Sequence, residues 1–296
     1  MTESNIDECA RILAAHPDYR LVQRYQRPER YASPPEDEST LRTGVYLDTE
    51  TTGFDADTCQ IIELAMVRFR FTTDGRIVDF AGDYDEFNDP GSPIPDDIVA
   101  LTGITDDMVR GQMLDHNEIS AFLDGVALVI AHNAAFDRRF VEAHLEGFES
   151  LAWACSAQQV PWREAGFESR KLEYVAYRQG FFYDGHRAIN DCLAGLHMLA
   201  QPILNSTGFA HLLTNARSKG QRIYAERSPF ETKDQLRLRG YRWNNGDNGH
   251  PKAWYIDVAD DDAETELAWL RSEIFKRQVT LPTTAITPFN RFSQRI

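Results

Sequence analysis

Residues 46–55 read YLDTETTGFD. Val45, Tyr46 and Leu47 open a buried strand, yet Asp48 and Glu50 stand where such a strand calls for apolar side chains. Side chains alternate along a strand, so the two carboxylates share a face, about 7 Å apart. Held close on a half-buried surface they repel each other and lose hydration, and some positive group must compensate them.

Working outward, QIIELAMVRFRF (60–71) reads as a second strand, and a third is expected at 77–87 after the turn at Asp74-Gly75. The loop NDPGSPIP precedes a helix near 95–101, and another helix is expected at 117–124. ALVIAH (127–132) is a continuous apolar run typical of a strand buried on both faces, with a helix following at 134–146. A short strand near 151–156, a helix at 170–179 and a long apolar helix at 187–203, stopped near Pro202, complete the pattern. Strands alternating with helices around a buried strand predict an α/β fold, a sheet with helices on its faces. Upstream lie a periodic helix at 4–16, an extended piece at 20–25 and the segment RPERYASPPEDEST (27–40), a linker or surface-hugging connection.

Beyond about residue 208 the pattern changes. QRIYAE reads as a strand, and TKDQLRLRG as a helix opened by a capping box at Thr232 and Gln235 and stopped at Gly240. GYRWN and KAWYIDV flank NGDNGHP as a hairpin, and the helix DDAETELAWLRSEIFKR has acids first and bases last. The expected organisation is an N-terminal segment (1–42), an α/β domain (43–207) and a small β-α-β-β-α module with a tail (208–296). Whether ITPFNRFSQRI folds back onto the body is left open.

The 296 residues are 42% hydrophobic and 26% charged, the balance of an ordinary globular protein. Apolar runs such as VALVIA are far shorter than a membrane span, and the N-terminus lacks a signal-peptide core. No membrane association is expected. Cys9, Cys59, Cys155 and Cys192 are scattered without a CxxC pair, which predicts a reducing cytoplasm and argues against structural zinc. A net charge of −15 argues against coating nucleic acid by charge alone, but residues 211–255 hold nine Lys/Arg against four acids.

Two more stations carry carboxylates. In AHNAAFD (131–137), Asn133 is placed to cap the helix and Asp137 lies one turn inside it. In HRAIND (186–191), five residues would separate His186 and Asp191 by about 140° on one helix, so His186 is expected on the loop after YDG and Asp191 in the first turns of the next helix. Four carboxylates at strand ends and helix starts suit a pair of hard divalent cations, Mg²⁺ or Mn²⁺. Two such ions about 3.5–4 Å apart clamp the attacking and leaving oxygens of a phosphodiester, and a nearby His can deprotonate the water.

The order Asp-x-Glu, Asn-x-x-x-Asp, His-x-x-x-x-Asp resembles the DEDDh, or DnaQ-like, 3′–5′ exonucleases, the group containing the proofreading epsilon subunit of DNA polymerase III. LDTETTGFD, IIELAMV, PIPDDIVALTGITDDMV, LVIAHNAAFD and HRAINDCLAGLHML are similar to family segments, in family order, over about residues 43–204. The resemblance implies a ribonuclease H-like mixed central sheet with helices on both faces. It implies two divalent cations on Asp48, Glu50, Asp137 and Asp191, with His186 as general base. Thr49, Thr51, Thr52, Gly53, Leu101, Ile104, Thr105, Asn133 and Phe136 match segments that meet the terminal nucleotide. One departure is ACSAQQ (154–159), where many relatives have Asp-Thr; Cys155 puts a supporting contact in doubt.

The implied activity is release of nucleoside 5′-monophosphates from the 3′ end of DNA, single-stranded or frayed. An RNA-directed exoribonuclease and a polymerase-associated proofreading subunit are the alternatives, and a nucleic acid with a free 3′ end, a DNA polymerase or a repair protein the expected partners. In the module, Arg239, Arg242, Trp243, Lys252 and Trp254 are candidate contacts for phosphates and bases. Aromatic residues in so small a module can equally be its core.

Overall fold

The computed structural model describes residues 3–296. A helix, α1 (Glu3–Ala15), leads to a two-residue strand, β1 (Gln23–Arg24), which pairs in parallel with Phe181 and Phe182. The Pro-rich segment that follows hugs the body: Arg27 pairs with Asp83 and stacks on Phe80, and Arg30 bridges to Asp79.

The β-branched and aromatic runs then form an antiparallel meander of β2 (Arg42–Thr51), β3 (Ile61–Phe71) and β4 (Ile77–Phe87). Gly75, at φ 91°, makes the turn between the last two. Three short helices, α2 (Asp96–Thr102), α3 (Asp106–Val109) and α4 (His116–Leu123), cross to β5 (Val126–Ala131), which lies parallel to β2. Helix α5 (Ala134–His144) returns the chain to β6 (Trp153–Cys155), parallel to β5. The result is a five-stranded mixed sheet in the order β4-β3-β2-β5-β6. Then come α6 (Leu172–Gln179), β7 (Phe181–Phe182), α7 (Ala188–Ala200), a hairpin of β8 (Pro202–Ile203) and β9 (Ser206–Thr207), and α8 (Gly208–Arg217).

Alternation along the central strand sorts its residues onto two buried faces. Val45 and Leu47 join Phe140 and Val141 of α5 in one core cluster. Tyr46 joins Cys192, Ala194 and Leu196 of α7 in the other. The α7 contact is close: a Cβ on Gly195 would sit 2.2 Å from the Tyr46 ring. An α/β fold with helices on both faces is therefore what the sequence builds.

Two expectations change here. The long helix ends at Ala200, because Gln201 is extended ahead of Pro202, which opens the β8–β9 hairpin. The helix α8 was not anticipated; its Phe209, Leu212, Leu213 and Ala216 pack into the α7-side core beside Phe69 and Phe71. The boundary expected at 207/208 thus falls inside this core.

The remaining chain forms β10 (Gly220–Ala225), α9 (Lys233–Leu238), β11 (Arg242–Asn244), β12 (Ala253–Ala259), α10 (Ala263–Trp269), which runs on into a π-helical turn, Leu270–Phe275, and β13 (Thr283–Ile286). These strands form an antiparallel sheet in the order β11-β12-β10-β13. The expected hairpin is β11–β12. The expected capping box is not made: the Thr232 hydroxyl donates to the Pro229 carbonyl at 2.7 Å, and no side chain caps α9. After β13 the tail folds back onto the body. Buried Arg138 of α5 donates to the carbonyls of Phe289 (2.6 Å) and Arg291 (2.7 Å), and Arg295 pairs with Glu142 at 2.9 Å. No helix among the described residues is long and apolar enough to cross a membrane.

Candidate active site

Asp48 and Glu50 lie near the end of β2, on the side of the sheet that faces α7, where the β2–β3 register breaks between Glu50 and Thr51. Asp191, in the first turn of α7, reaches down to them. Carboxylate oxygens of Asp48, Glu50 and Asp191 lie within 4.8 Å of one another. Asp137 arrives from α5 on the other side of the strand. Its Oδ1 accepts the Thr49 N–H at 3.1 Å and the Thr49 hydroxyl at 2.9 Å. Two helices thus bring one acid each to the strand end from opposite faces, and the strand supplies two.

The acids are kept far from their ordinary ionisation. Burial, followed by repulsion from Asp137, Asp191 and Glu50, pushes Asp48 well above the usual carboxylate range. Burial also pushes Glu50 up to about 8, with Asp191 and Glu63 adding to it. Asp137 rises to about 7 by burial, with the Thr49 hydrogen bonds pulling it back. Asp191 rises to about 6 by burial, with the Tyr183 hydroxyl (2.9 Å) and His186 pulling it back. Its Oδ2 is buried without a hydrogen-bond partner. Crowded, repelling oxygens with an orphaned buried lone pair are the donor set of a hard divalent cation, and the residues fit one.

His186 lies on the loop before α7 in the left-handed region (φ 61°), unusual for a residue with a Cβ. Its side chain is half-exposed, with Nε2 at 3.6 Å from Glu173 Oε1 rather than against the three acids.

Sequence reasoning missed the group that anchors this loop. Glu63, fully buried on β3 opposite Glu50, accepts Arg187 Nε (3.0 Å) and Nη2 (2.8 Å) on one oxygen and the Ala188 N–H (2.9 Å) on the other. It therefore ties the first residues of α7 to the sheet. The visible signal was an acid inside the apolar run IIELAMV. Tyr183, which orients Asp191, left no such signal.

The other expected contacts scatter in kind. Thr49 is committed to Asp137, and Thr51 Oγ1 donates to the Gly53 carbonyl at 2.6 Å. Thr52 closes the turn with Gln60, donating N–H to its carbonyl at 2.9 Å. A Cβ on Gly53 would meet Cys59 Sγ at 2.7 Å, so a larger residue there would have to displace that side chain. Leu101 is 52% exposed, whereas Ile104 is wholly buried with Ile62, Ile94 and Ile98 and offers no side-chain surface. Thr105 is exposed at the start of α3. Asn133 precedes α5 without the side-chain cap expected of it; instead its carbonyl accepts the Phe136 N–H at 2.7 Å. Phe136 packs edge-on against Phe54, which is 84% exposed and was not anticipated. Cys155 is buried, donating to the His132 carbonyl at 3.2 Å, and neighbouring Ser156 links Tyr46 (2.8 Å) with His132 (2.9 Å).

The five module residues do not share a surface. Arg239 is tied to Glu266 at 2.8 Å and stacks on Trp269. Trp254 packs on the module's core beside Ile256, with half-exposed Trp243 edge-on to it. Arg242 lies on the opposite sheet face, and Lys252 is exposed just before β12.

The RNase_T exonuclease family model matches residues 45–199. Over 174 residues the chain is 42% identical to a PolC-type DNA polymerase III of Halalkalibacterium halodurans, covering 55% of this chain and 11% of that protein. A PolC-type polymerase of Clostridium perfringens is 34% identical over 161 residues, 52% of this chain and 11% of its own length. The chain thus spans about a ninth of these relatives. Among solved structures, Escherichia coli exonuclease I in complex with a dA16 oligonucleotide aligns at 13% identity and TM-score 0.46, over 73% of this chain and 63% of that one. Since the family match runs through all three acidic stations and covers just over half of the residues, the chain belongs to the RNase_T exonuclease family.

Proposed function

We propose that this exonuclease removes nucleoside 5′-monophosphates one at a time from the 3′ end of single-stranded or frayed DNA, with two divalent cations. The observation that carries the reading is the trio of carboxylate oxygens within 4.8 Å of one another, with Asp137 reaching the same strand end. Asp48, Glu50, Asp191 and Asp137 would hold Mg²⁺ or Mn²⁺, which when bound offsets phosphate charge and acidifies the attacking water. Thr49 keeps Asp137 in place through two hydrogen bonds, and Tyr183 does so for Asp191. His186 Nε2 takes the proton of the attacking water after its loop turns the ring from Glu173 toward the acids. The Thr51–Gly53 turn carries the terminal nucleotide, and exposed Leu101 and the Phe54–Phe136 pair supply apolar surface for its base. The functional units proposed are the N-terminal segment, a catalytic unit extended through α8, and the module with its tail.

A 5′-labelled oligonucleotide digested with Mg²⁺ tests this. A ladder shortening from the 3′ end, abolished in Asp48→Ala, is expected; a ladder from the 5′ end, or one unchanged in the variant, would refute the reading. Matched DNA and RNA strands run side by side, with and without a complement, decide the substrate: DNA should be degraded faster, and unpaired ends faster than paired ones. The 42% identity to a region of a PolC-type polymerase favours a second reading, proofreading beside a polymerase. Co-purification with a polymerase at stoichiometric yield would support it.

A further inference from the structure

The sheet of β10 to β13 has two unlike faces. Ile223, Ala225, Trp254, Ile256 and Val258 turn onto α9 and α10 and form the module's core. The alternate residues, Arg222, Tyr224, Arg242, Asn244 and Tyr255, line a cleft of about 510 Å³ together with Ala135 and Arg139 of α5 and with the C-terminal tail. The cleft therefore joins the module to the helix that carries Asp137.

Its chemistry is specific. Arg222 and Arg242 both reach Asp257, at 2.6 and 2.9 Å, and both guanidinium groups lie over the Tyr255 ring, 4.4 and 4.8 Å from its centroid. One carboxylate shared by two guanidiniums leaves surplus positive charge on an aromatic surface. Across the cleft Arg139 makes no ion pair among the described residues. Asp57 and Asp247 at the lining cancel the surplus of these three guanidiniums, and Arg291, also at the lining, leaves the cleft with one net positive charge, which limits it to a few phosphates. His250 stacks on Tyr224 with ring centroids 6.5 Å apart and planes 19° from parallel. Tyr224 itself is 1% exposed, and its hydroxyl is buried with no hydrogen-bond partner among the described residues.

Position supplies the ligand. Ala135 and Arg139 stand one turn apart on α5, with Asp137 between them in height and on the other side of the helix. The cleft is thus about a helix diameter, roughly 10 Å, from the acids. A strand whose last nucleotide sits at Asp137 reaches it with its next few nucleotides.

We propose that this cleft binds the substrate strand upstream of its 3′ end, Arg139 and Arg242 taking backbone phosphates and the His250 ring offering aromatic surface to a base. The ligand's identity rests on the exonuclease reading above. A free nucleotide, the reaction's product, offers the same phosphate and base, and the test separates the two sources.

The test uses the full chain in EDTA, so that binding is measured without cleavage, and follows the anisotropy of a 5′-fluorescein dT12 strand. Arg139→Glu and Arg242→Glu are each expected to raise the Kd about tenfold or more and to flatten the slope of log Kd against log salt by about 0.7 per lost phosphate contact. Arg237→Glu, the same charge change on the other side of the module, is expected to alter the Kd by no more than about twofold. Should Arg242→Glu unfold the module, Arg242→Gln replaces it. Equal losses in all three variants, or none in either cleft variant, overturn the proposal. It also falls if the cleft variants weaken binding of dTMP while dT12 binds as to the wild type. Adding Mg²⁺ to the wild type afterwards checks the exonuclease reading separately: undigested dT12 that still loses affinity in the cleft variants would sink that reading and not the site.

Discussion

At the scale of single residues, the acids carry a testable electrostatic signature. Glu50, Asp137 and Asp191 are raised to about 8, 7 and 6, against ordinary values of about 4. Between those limits the folded chain binds more protons than the unfolded one, so this contribution to stability is full at low pH and falls as pH rises through the window. In EDTA the thermal midpoint should therefore drop between pH 5 and pH 8, and Mg²⁺ should remove most of that drop; a midpoint indifferent to Mg²⁺ at pH 8 would contradict the assignment. His186 makes a second case. His186→Ala should lower kcat by roughly 10²–10⁴ with the unfolding midpoint unchanged, the usual loss for a general base. The acids were legible because each sits in a short local motif against apolar neighbours. Glu63 and Arg187 were not, because 124 residues separate partners that only the fold brings together.

At the scale of elements, catalysis depends on how α7 is seated. Gly195 lets the helix lie against Tyr46, and Glu63 pins its first turn. Gly195→Ala would force the helix outward, costing roughly 1–3 kcal/mol of stability, and should lower kcat by displacing Asp191. Glu63→Ala should cost about the same, roughly 1–3 kcal/mol, because it leaves the buried Ala188 amide without its acceptor, while the Arg187 guanidinium, 36% exposed, stays partly solvated. Denaturant unfolding of both variants beside their kcat values checks the pair. The strands around YLDTETTGFD were readable because apolar runs of strand length bounded by turns leave little choice. The β8–β9 hairpin and α8 were not: Pro202 marked an end, while α8 presents its apolar Phe209, Leu212 and Leu213 on one side of a short polar stretch that resembles a connection. In the module the strands were legible but their facing was not. Aromatic residues occupy both alternations, and only the packing of α10 decides that Trp254 turns inward and Tyr255 toward the cleft.

At the scale of the whole molecule, the tail ties the second sheet to the catalytic one. It adds β13 to β10, then gives its carbonyls to Arg138, one residue beyond Asp137. Deleting residues 283–296 would strip the buried guanidinium of two acceptors and should lower the unfolding midpoint of the entire chain, not of the module alone. A single cooperative transition at reduced temperature is the expected calorimetric result. The central claim is that acids from opposite faces of one sheet form a divalent-cation centre. Anomalous diffraction from crystals soaked in Mn²⁺ and dTMP tests it most directly. The account predicts two manganese peaks ligated by Asp48, Glu50, Asp137 and Asp191, with the nucleotide phosphate between them; crystals that bind dTMP there without manganese at those oxygens would contradict it.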